Sequence, residues 1–273
     1  MFCTPESVEQ VRETLQFLRK EQIPFFLLGK GSNVLVGDQG FAGVILHLGT
    51  HFDHICVEGK QVVAGAGVSL AAIARRCLEE GLTGFEFAAG IPGSLGGAVV
   101  MNAGAYGGQM ADVVVQVTAM DETGDVFTLP REALEFGYRN SIFLQKRLII
   151  LEAVLEFAPG DREQIAGKMQ ELAAQRREKQ PLEYPSAGST FKRPEGYFAG
   201  KLVMDAGLRG YQIGGARISE KHCGFIINAD QATARDVQKL IEYAQQEVLR
   251  QFGVRLEPEV QFLGMEASEE KTV

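Results

Sequence analysis

The fold of this chain turns on the stretch AGIPGSLGGAVVMNAGAYGG (89–108). Seven of its twenty residues are glycine and none is charged, yet Ile91, Leu95, Val99, Val100 and Met101 are interleaved among them. A flexible linker would be polar throughout, and a regular element would not carry so many glycines. The composition predicts an ordered loop whose backbone and small side chains wrap an extended ligand, either planar or bearing a pyrophosphate.

Outward from this loop, strand and helix patterns mix irregularly. TPESVEQVRETLQFLRK opens with Thr4 as a helix cap and Pro5 at the first helical position, followed by Val8, Val11, Leu15 and Leu18 at helical spacing. IPFFLLGKGSNVLV reads as a buried strand, a glycine turn and a second strand, and GVILHL, HICVEG and QVVAGAG continue as short strands. Ser69 caps a helix with Leu70, Ile73, Ala74 and Cys77 inward, and Gly81 ends it. Strands return at VVVQVTAMD, DVFTLP and LIILEAVLEF. Without regular alternation of strand and helix, the expected class is α+β rather than a doubly wound sheet.

APGD (158–161) marks a domain boundary. The helix after it has its apolar stripe at Ile165, Met169 and Leu172, and steps of four and three carry that stripe on to Arg176 and Lys179. A second helix runs from Thr233, with Asp236 completing a capping-box pair, to Gly253. The polar end EASEEKTV (266–273) reads as disordered.

A chain of 273 residues with 45% hydrophobic and 23% charged residues fits two globular domains. A net charge of −8 argues against a sequence-independent nucleic-acid binder. Cys3, Cys56, Cys77 and Cys223 lie far apart, in neither a disulfide nor a zinc pattern, which fits a reducing cytoplasm. MFCTPESVEQ has no secretion-signal pattern, and no apolar run reaches membrane-spanning length.

Most local motifs have a bland reading. GKGSN (29–33) lacks Walker spacing, but its turn can aim several N–H groups at a phosphate. GAGVSL (65–70) fails the dinucleotide fingerprint at Leu70. His47, His51 and His54 occupy a turn between strands without suitable co-ligands, so no metal is assigned. Ser189 in PSAGSTFKRP has no nucleophile elbow around it. Glu257 and Glu259 share a strand face beside Pro258. GYRNSIF (137–143) brackets Arg139 between Tyr138 and Phe143.

Taken in order, GKGSNVLV, GIPGSLGGAVVMNAGAYG, GYRNSIF, SAGSTFKRP and LEPEV closely resemble the UDP-N-acetylenolpyruvoylglucosamine reductases, over residues 4–264. The resemblance implies an FAD-binding domain of the vanillyl-alcohol-oxidase (PCMH) type over 1–158, with FAD held non-covalently. It further implies a smaller α+β substrate domain over 159–256, a strand at 257–264 that brings in Glu259, and a tail at 265–273. The implied reaction reduces the enolpyruvyl ether of UDP-GlcNAc to UDP-N-acetylmuramate with NADPH, a step of peptidoglycan precursor synthesis.

The resemblance also implies site residues. Arg139 is the cation beside the substrate carboxylate, its planar fork suited to a carboxylate. Ser189 gives a proton to the α-carbon, and Glu259 assists charge stabilisation; if Glu259 donates a hydrogen bond it must be protonated, with a raised pKa. FAD contacts are expected from Gly29, Lys30, Gly31, Ser32, Asn33 and Val34, and from Ile91, Pro92, Gly93, Ser94, Gly96 and Gly97. Arg176, Lys179, Arg193 and His222 are expected near the UDP-sugar or the nicotinamide nucleotide. Arg193 stands where one subtype carries Asn, and there is no room for that subtype's Tyr-bearing loop, so the shorter subtype is implied. Family members usually carry a further strand region before TPESVEQV, so a missing amino-terminal segment is also expected. Two other readings remain, an oxidase on the same flavin fold and a non-catalytic flavin or UDP-sugar binder. Oxidases often tether FAD through His or Cys in the early loops, and neither residue occurs in 29–34 or 90–108.

Overall fold

The computed structural model describes residues 1–265, so the expectation for the polar end at 266–273 lies outside the described residues. The chain forms two compact units. One comprises Met1–Gly31 and Gly43–Arg176, and the other Ser32–Ala42 together with the chain from Arg177 onward. Helix and strand are mixed in both, as an α+β chain requires.

In the first unit, helix Val8–Lys20 buries Val11, Leu15 and Leu18. Its cap is Ser7, whose side chain accepts the Gln10 N–H at 3.2 Å, rather than Thr4. Pro5 therefore precedes the helix, and Val8, at its first turn, is exposed. A three-stranded parallel sheet orders Phe2–Cys3, Val44–His47 and Phe25–Leu28. A five-stranded antiparallel sheet follows the order Val126–Pro130, Val114–Met120, Ile149–Glu156, Gln61–Gly65, Ile55–Glu58. The alternating or apolar character of these segments is what one half-buried sheet face demands. Helix Leu70–Glu80 is capped by Ser69 and ended by left-handed Gly81, with Leu70, Ile73, Ala74 and Cys77 buried, as its spacing predicts. Burial raises the Cys77 thiol to about 12, which makes it an inert core group.

The glycine-rich stretch is more structured than an ordered loop. It contains a short helix, Leu95–Val100, and a hairpin pairing Gly104–Ala105 with Gly108–Gln109. Tyr106 and Gly107 make the hairpin turn, both with positive φ. Leu95, Ala98 and Val99 are buried, and this burial outweighs the poor helix propensity of Gly96 and Gly97. Helix Arg162–Lys179 stays with the first unit through Arg176, because Ile165 and Leu172 are buried and Met169 packs on that core. The compact units thus part at 176/177, one helix beyond the APGD turn.

The second unit is built on an antiparallel sheet ordered Ser186–Ser189, Phe225–Asn228, Ala216–Ile218, Gln212–Ile213. Helices Ala199–Asp205 and Ala234–Phe252 enclose a core that includes Leu202, Val203, Ile218, Ile226, Leu240 and Val248. The longer helix opens with the expected Thr233/Asp236 capping box and closes at left-handed Gly253. Segment 32–42 belongs here because strand Val34–Val36 pairs in parallel with Gln261–Leu263. Asp38 ties it further by accepting the Ala234 and Arg235 N–H groups at 2.8 and 3.2 Å. A carboxylate at a helix N-terminus satisfies two orphan donors and complements the helix dipole.

Candidate active site

In the first unit, glycines let three backbone segments close on one another. Leu70 N–H donates to Gly93 O at 3.1 Å, Leu95 N–H to Val68 O at 2.8 Å, and Gly96 N–H to Ala66 O at 2.9 Å. A Cβ at Gly29 would lie 2.6 Å from Oγ of the buried Ser94, and one at Gly96 would lie 3.0 Å from the Ala66 Cβ. The expected 29–31 and 90–97 segments are therefore brought together, with no room for side chains where they touch. No acceptor for the N–H groups of Gly29, Lys30 or Gly31 is found among the described residues. A glycine cradle with unspent backbone donors fits the pyrophosphate of FAD.

Arg176 lies against this cradle. A Cβ at Gly90 would approach its Nη1 to 3.2 Å, and burial pulls the guanidinium below its ordinary pKa, with Tyr106 acting in the opposite sense. A desolvated cation of this kind favours an anionic partner. Lys179, one turn further on, is exposed, because by then the helix has left the core of the first unit.

Arg139 occupies a tight turn closed by Gly137 N–H to Asn140 O (3.0 Å) and Asn140 N–H to Gly137 O (3.3 Å). Its φ is 51°, a left-handed conformation that costs a residue with a Cβ roughly 1–2 kcal/mol. The guanidinium lies 5.1 Å from the Tyr138 ring and donates to Gly104 O at 3.1 Å. Phe143 does not complete a bracket around it, being a core residue 6% exposed in the short helix Ile142–Gln145. A strained backbone that aims a half-buried cation is a common mark of a functional position.

In the second unit, Ser189 follows a register shift in which Ser186 faces Ile227 and Ser189 faces Phe225. Gly188, at φ 84°, supplies the left-handed residue of that bulge. Bulges re-aim the next side chain, and Ser189 is exposed, with Oγ 3.5 Å from Phe191 O. Glu259 is a close neighbour along the backbone: its N–H donates to Thr190 O at 2.8 Å, and Phe191 bridges Pro258. Asn33 holds the same strand, its Nδ2 donating to Glu259 O at 3.0 Å and its carbonyl accepting from Gln261 N–H. The Asn33 side chain thus serves Glu259. Ser32, Asn33 and Val34 belong to this unit, and Gly29–Gly31 to the other.

Arg193 lies 4.0 Å over the Phe198 ring, its Nε donating to Tyr197 O at 3.2 Å. Gly200, two residues further on, packs on His222, where an added Cβ would stand 3.2 Å from a ring carbon. The His222 Nδ1 accepts the Gly224 N–H at 3.1 Å, so in the neutral ring the proton sits on Nε2. Desolvation lowers its pKa below 6.5. Protonation is then disfavoured in the folded state. The stability gained by keeping His222 neutral is present above pH 6.5 and is lost as pH falls through its folded pKa. Urea titrations across the acid range should show this loss, and His222→Gln should flatten it; parallel curves for the two proteins would refute the assignment.

The sequence reading passed over Asn102, which is 2% exposed with φ 42°. Its only signal was an amide side chain just after a short apolar run, at a position a left-handed helix end favours. Of the three early histidines, His47 Nδ1 meets Leu28 O at 2.9 Å and His54 Nε2 meets Glu152 at 2.7 Å. Among the described residues, no group of three or more His, Cys, Asp or Glu is placed to hold a metal ion.

A family model described as "FAD binding domain" matches residues 1–130. A second, "UDP-N-acetylenolpyruvoylglucosamine reductase, C-terminal domain", matches 180–263. The UDP-N-acetylenolpyruvoylglucosamine reductase of Clostridium botulinum (strain Eklund 17B / Type B) is 51% identical over 264 residues, covering 97% of this chain and 86% of the relative. That of Caldanaerobacter subterraneus subsp. tengcongensis is 52% identical, covering 97% and 87%. The crystal structure of the Thermus caldophilus reductase superposes with a TM-score of 0.83 at 34% identity, covering 96% of this chain and 91% of that one. The chain belongs to the UDP-N-acetylenolpyruvoylglucosamine reductase family.

Proposed function

We propose that this chain carries out its family's reaction through Arg139, Ser189 and Glu259. The reaction is the NADPH-dependent reduction of enolpyruvyl-UDP-GlcNAc to UDP-N-acetylmuramate, a step in peptidoglycan precursor synthesis. The chemistry that FAD would supply when bound is transfer of a hydride equivalent, two electrons with one proton, from NADPH to the enolpyruvyl double bond. The 29–34 turn and the 91–97 loop would hold it, with the Gly29, Lys30 and Gly31 N–H groups available to its pyrophosphate. Arg139 binds the substrate carboxylate and stabilises the negative charge that develops there. Ser189 Oγ gives its proton to the α-carbon, and Glu259 supports the charge on the substrate. Arg176, Lys179, Arg193 and His222 serve the anionic nucleotide groups. Residues 1–158 act as the cofactor domain, and 159–256 with the 257–264 strand as the substrate domain. A cytoplasmic location fits substrates that are water-soluble nucleotides, and among the described residues no helix is long and apolar enough to cross a membrane.

The observation that carries this reading is the left-handed, cation-bearing turn at Arg139, set in a chain whose family match spans 97% of its length. Flavin-loaded protein mixed anaerobically with NADPH should lose its flavin absorbance, and the enolpyruvyl sugar should restore it. A flavin that NADPH does not reduce, or that the sugar does not reoxidise, would overturn the reading.

A further inference from the structure

We infer that Asn102 is a positioning residue for Arg139, fixing the turn from which that cation acts. Hydrogen bonds at three points tie the segment 100–104 and the turn 137–141 together among the described contacts. Ser141 Oγ donates to Val100 O at 2.6 Å, and Arg139 Nη2 donates to Gly104 O at 3.1 Å. Between them, Asn102 Nδ2 donates to Gly137 O at 2.8 Å and to Gln109 Oε1 at 3.1 Å, while its Oδ1 accepts the Ala111 N–H at 2.9 Å. Gly137 O is also the carbonyl that closes the Arg139 turn by accepting Asn140 N–H. Asn102 thus grips the hinge atom of the turn, and the same side chain locks the segment that receives the Arg139 guanidinium.

The residue type follows from two demands. Backbone at φ 42° just past a helix end is best met by glycine or asparagine. A buried site that must donate to one carbonyl and accept from one N–H needs a side-chain amide. Glycine meets the first demand only, and aspartate cannot donate to Gly137 O at neutral pH. A turn holding a cation in a strained left-handed conformation needs such a brace, since the strain favours relaxation. A displacement of about 1 Å at a reacting group costs on the order of 10²-fold in rate.

The inference rests on the proposed role of Arg139, and stopped-flow measurement of the two half-reactions separates the two claims. Asn102→Gly suits the left-handed backbone and removes the side chain's bonds to Gly137, Gln109 and Ala111 together. It should slow reoxidation by the enolpyruvyl sugar by on the order of 10²-fold, leave reduction by NADPH unchanged, and raise amide exchange in the 137–141 segment of the flavin-loaded protein. Asn102→Asp, which turns a carboxylate oxygen toward Gly137 O, should lose as much or more in the same half-reaction. Either change combined with Arg139→Lys should cost less than the sum of the two, as coupled residues do. Loss of flavin, equal loss in both half-reactions, unchanged exchange at 137–141, or full additivity with Arg139→Lys would each overturn the inference. If Arg139→Met itself leaves reoxidation intact, the proposed role of Arg139 falls first; if it slows reoxidation and Asn102→Gly does not, only the brace falls.

Discussion

Arg139→Met is expected to slow reoxidation of the flavin by the enolpyruvyl sugar by about 10²–10³-fold or more, the loss typical of removing one preorganised charge-stabilising group. NADPH should still reduce the flavin at its normal rate, because the partner proposed for the lost cation is the sugar's carboxylate. Arg139→Lys keeps a charge but not the planar fork, and should fall between the two proteins. The left-handed backbone makes Arg139→Gly the sharper variant. Relief of the φ 51° conformation returns roughly 1–2 kcal/mol. Against this stand about 0.5–1 kcal/mol of added chain entropy in the unfolded state and about 0.5–1.5 kcal/mol for the hydrogen bond to Gly104. These terms offset one another in part, so thermal unfolding should move far less than substrate turnover. A large drop in melting temperature would instead make Arg139 a structural residue, and turnover near the normal rate would end its assignment to the chemistry.

Ser189→Ala should leave flavin reduction intact and slow reoxidation by about 10²–10⁴-fold, the usual contribution of a positioned proton donor. The hydroxyl is exposed at the end of a bulged strand, and among the described residues its contact is a long one to Phe191 O, so its removal leaves the core untouched. Binding of the sugar should change little, because the proton moves after the substrate is in place. Equal slowing of both half-reactions would point to a binding or folding defect and remove Ser189 from the acid role.

Much of the fold was legible because it rests on local rules. The Ser69 cap, the Gly81 stop and the Thr233/Asp236 capping box each depend on residues within one turn of the helix end. The first helix was misplaced at its start because Thr4–Pro5 and Ser7 are competing cap signals, and the choice lies with the hydrogen bond from Gln10 N–H. Helix Leu95–Val100 was missed because its glycines argue against it locally, while burial against the first unit's core decides for it.

The sequence alone determined which residue types are available to the proposed chemistry: a cation at 139, a hydroxyl at 189, a carboxyl at 259 and two glycine-rich turns. Their ordered motifs were enough to identify the family. Tertiary structure alone decided how those groups are held. It showed the Asn33 amide serving Glu259 across 226 residues of chain, Arg176 resting on Gly90, and Asn102 bracing the Arg139 turn from 35 residues away. Side-chain hydrogen bonds between distant segments leave no periodicity or spacing in the sequence, because their partners become neighbours only once the core has brought the segments together.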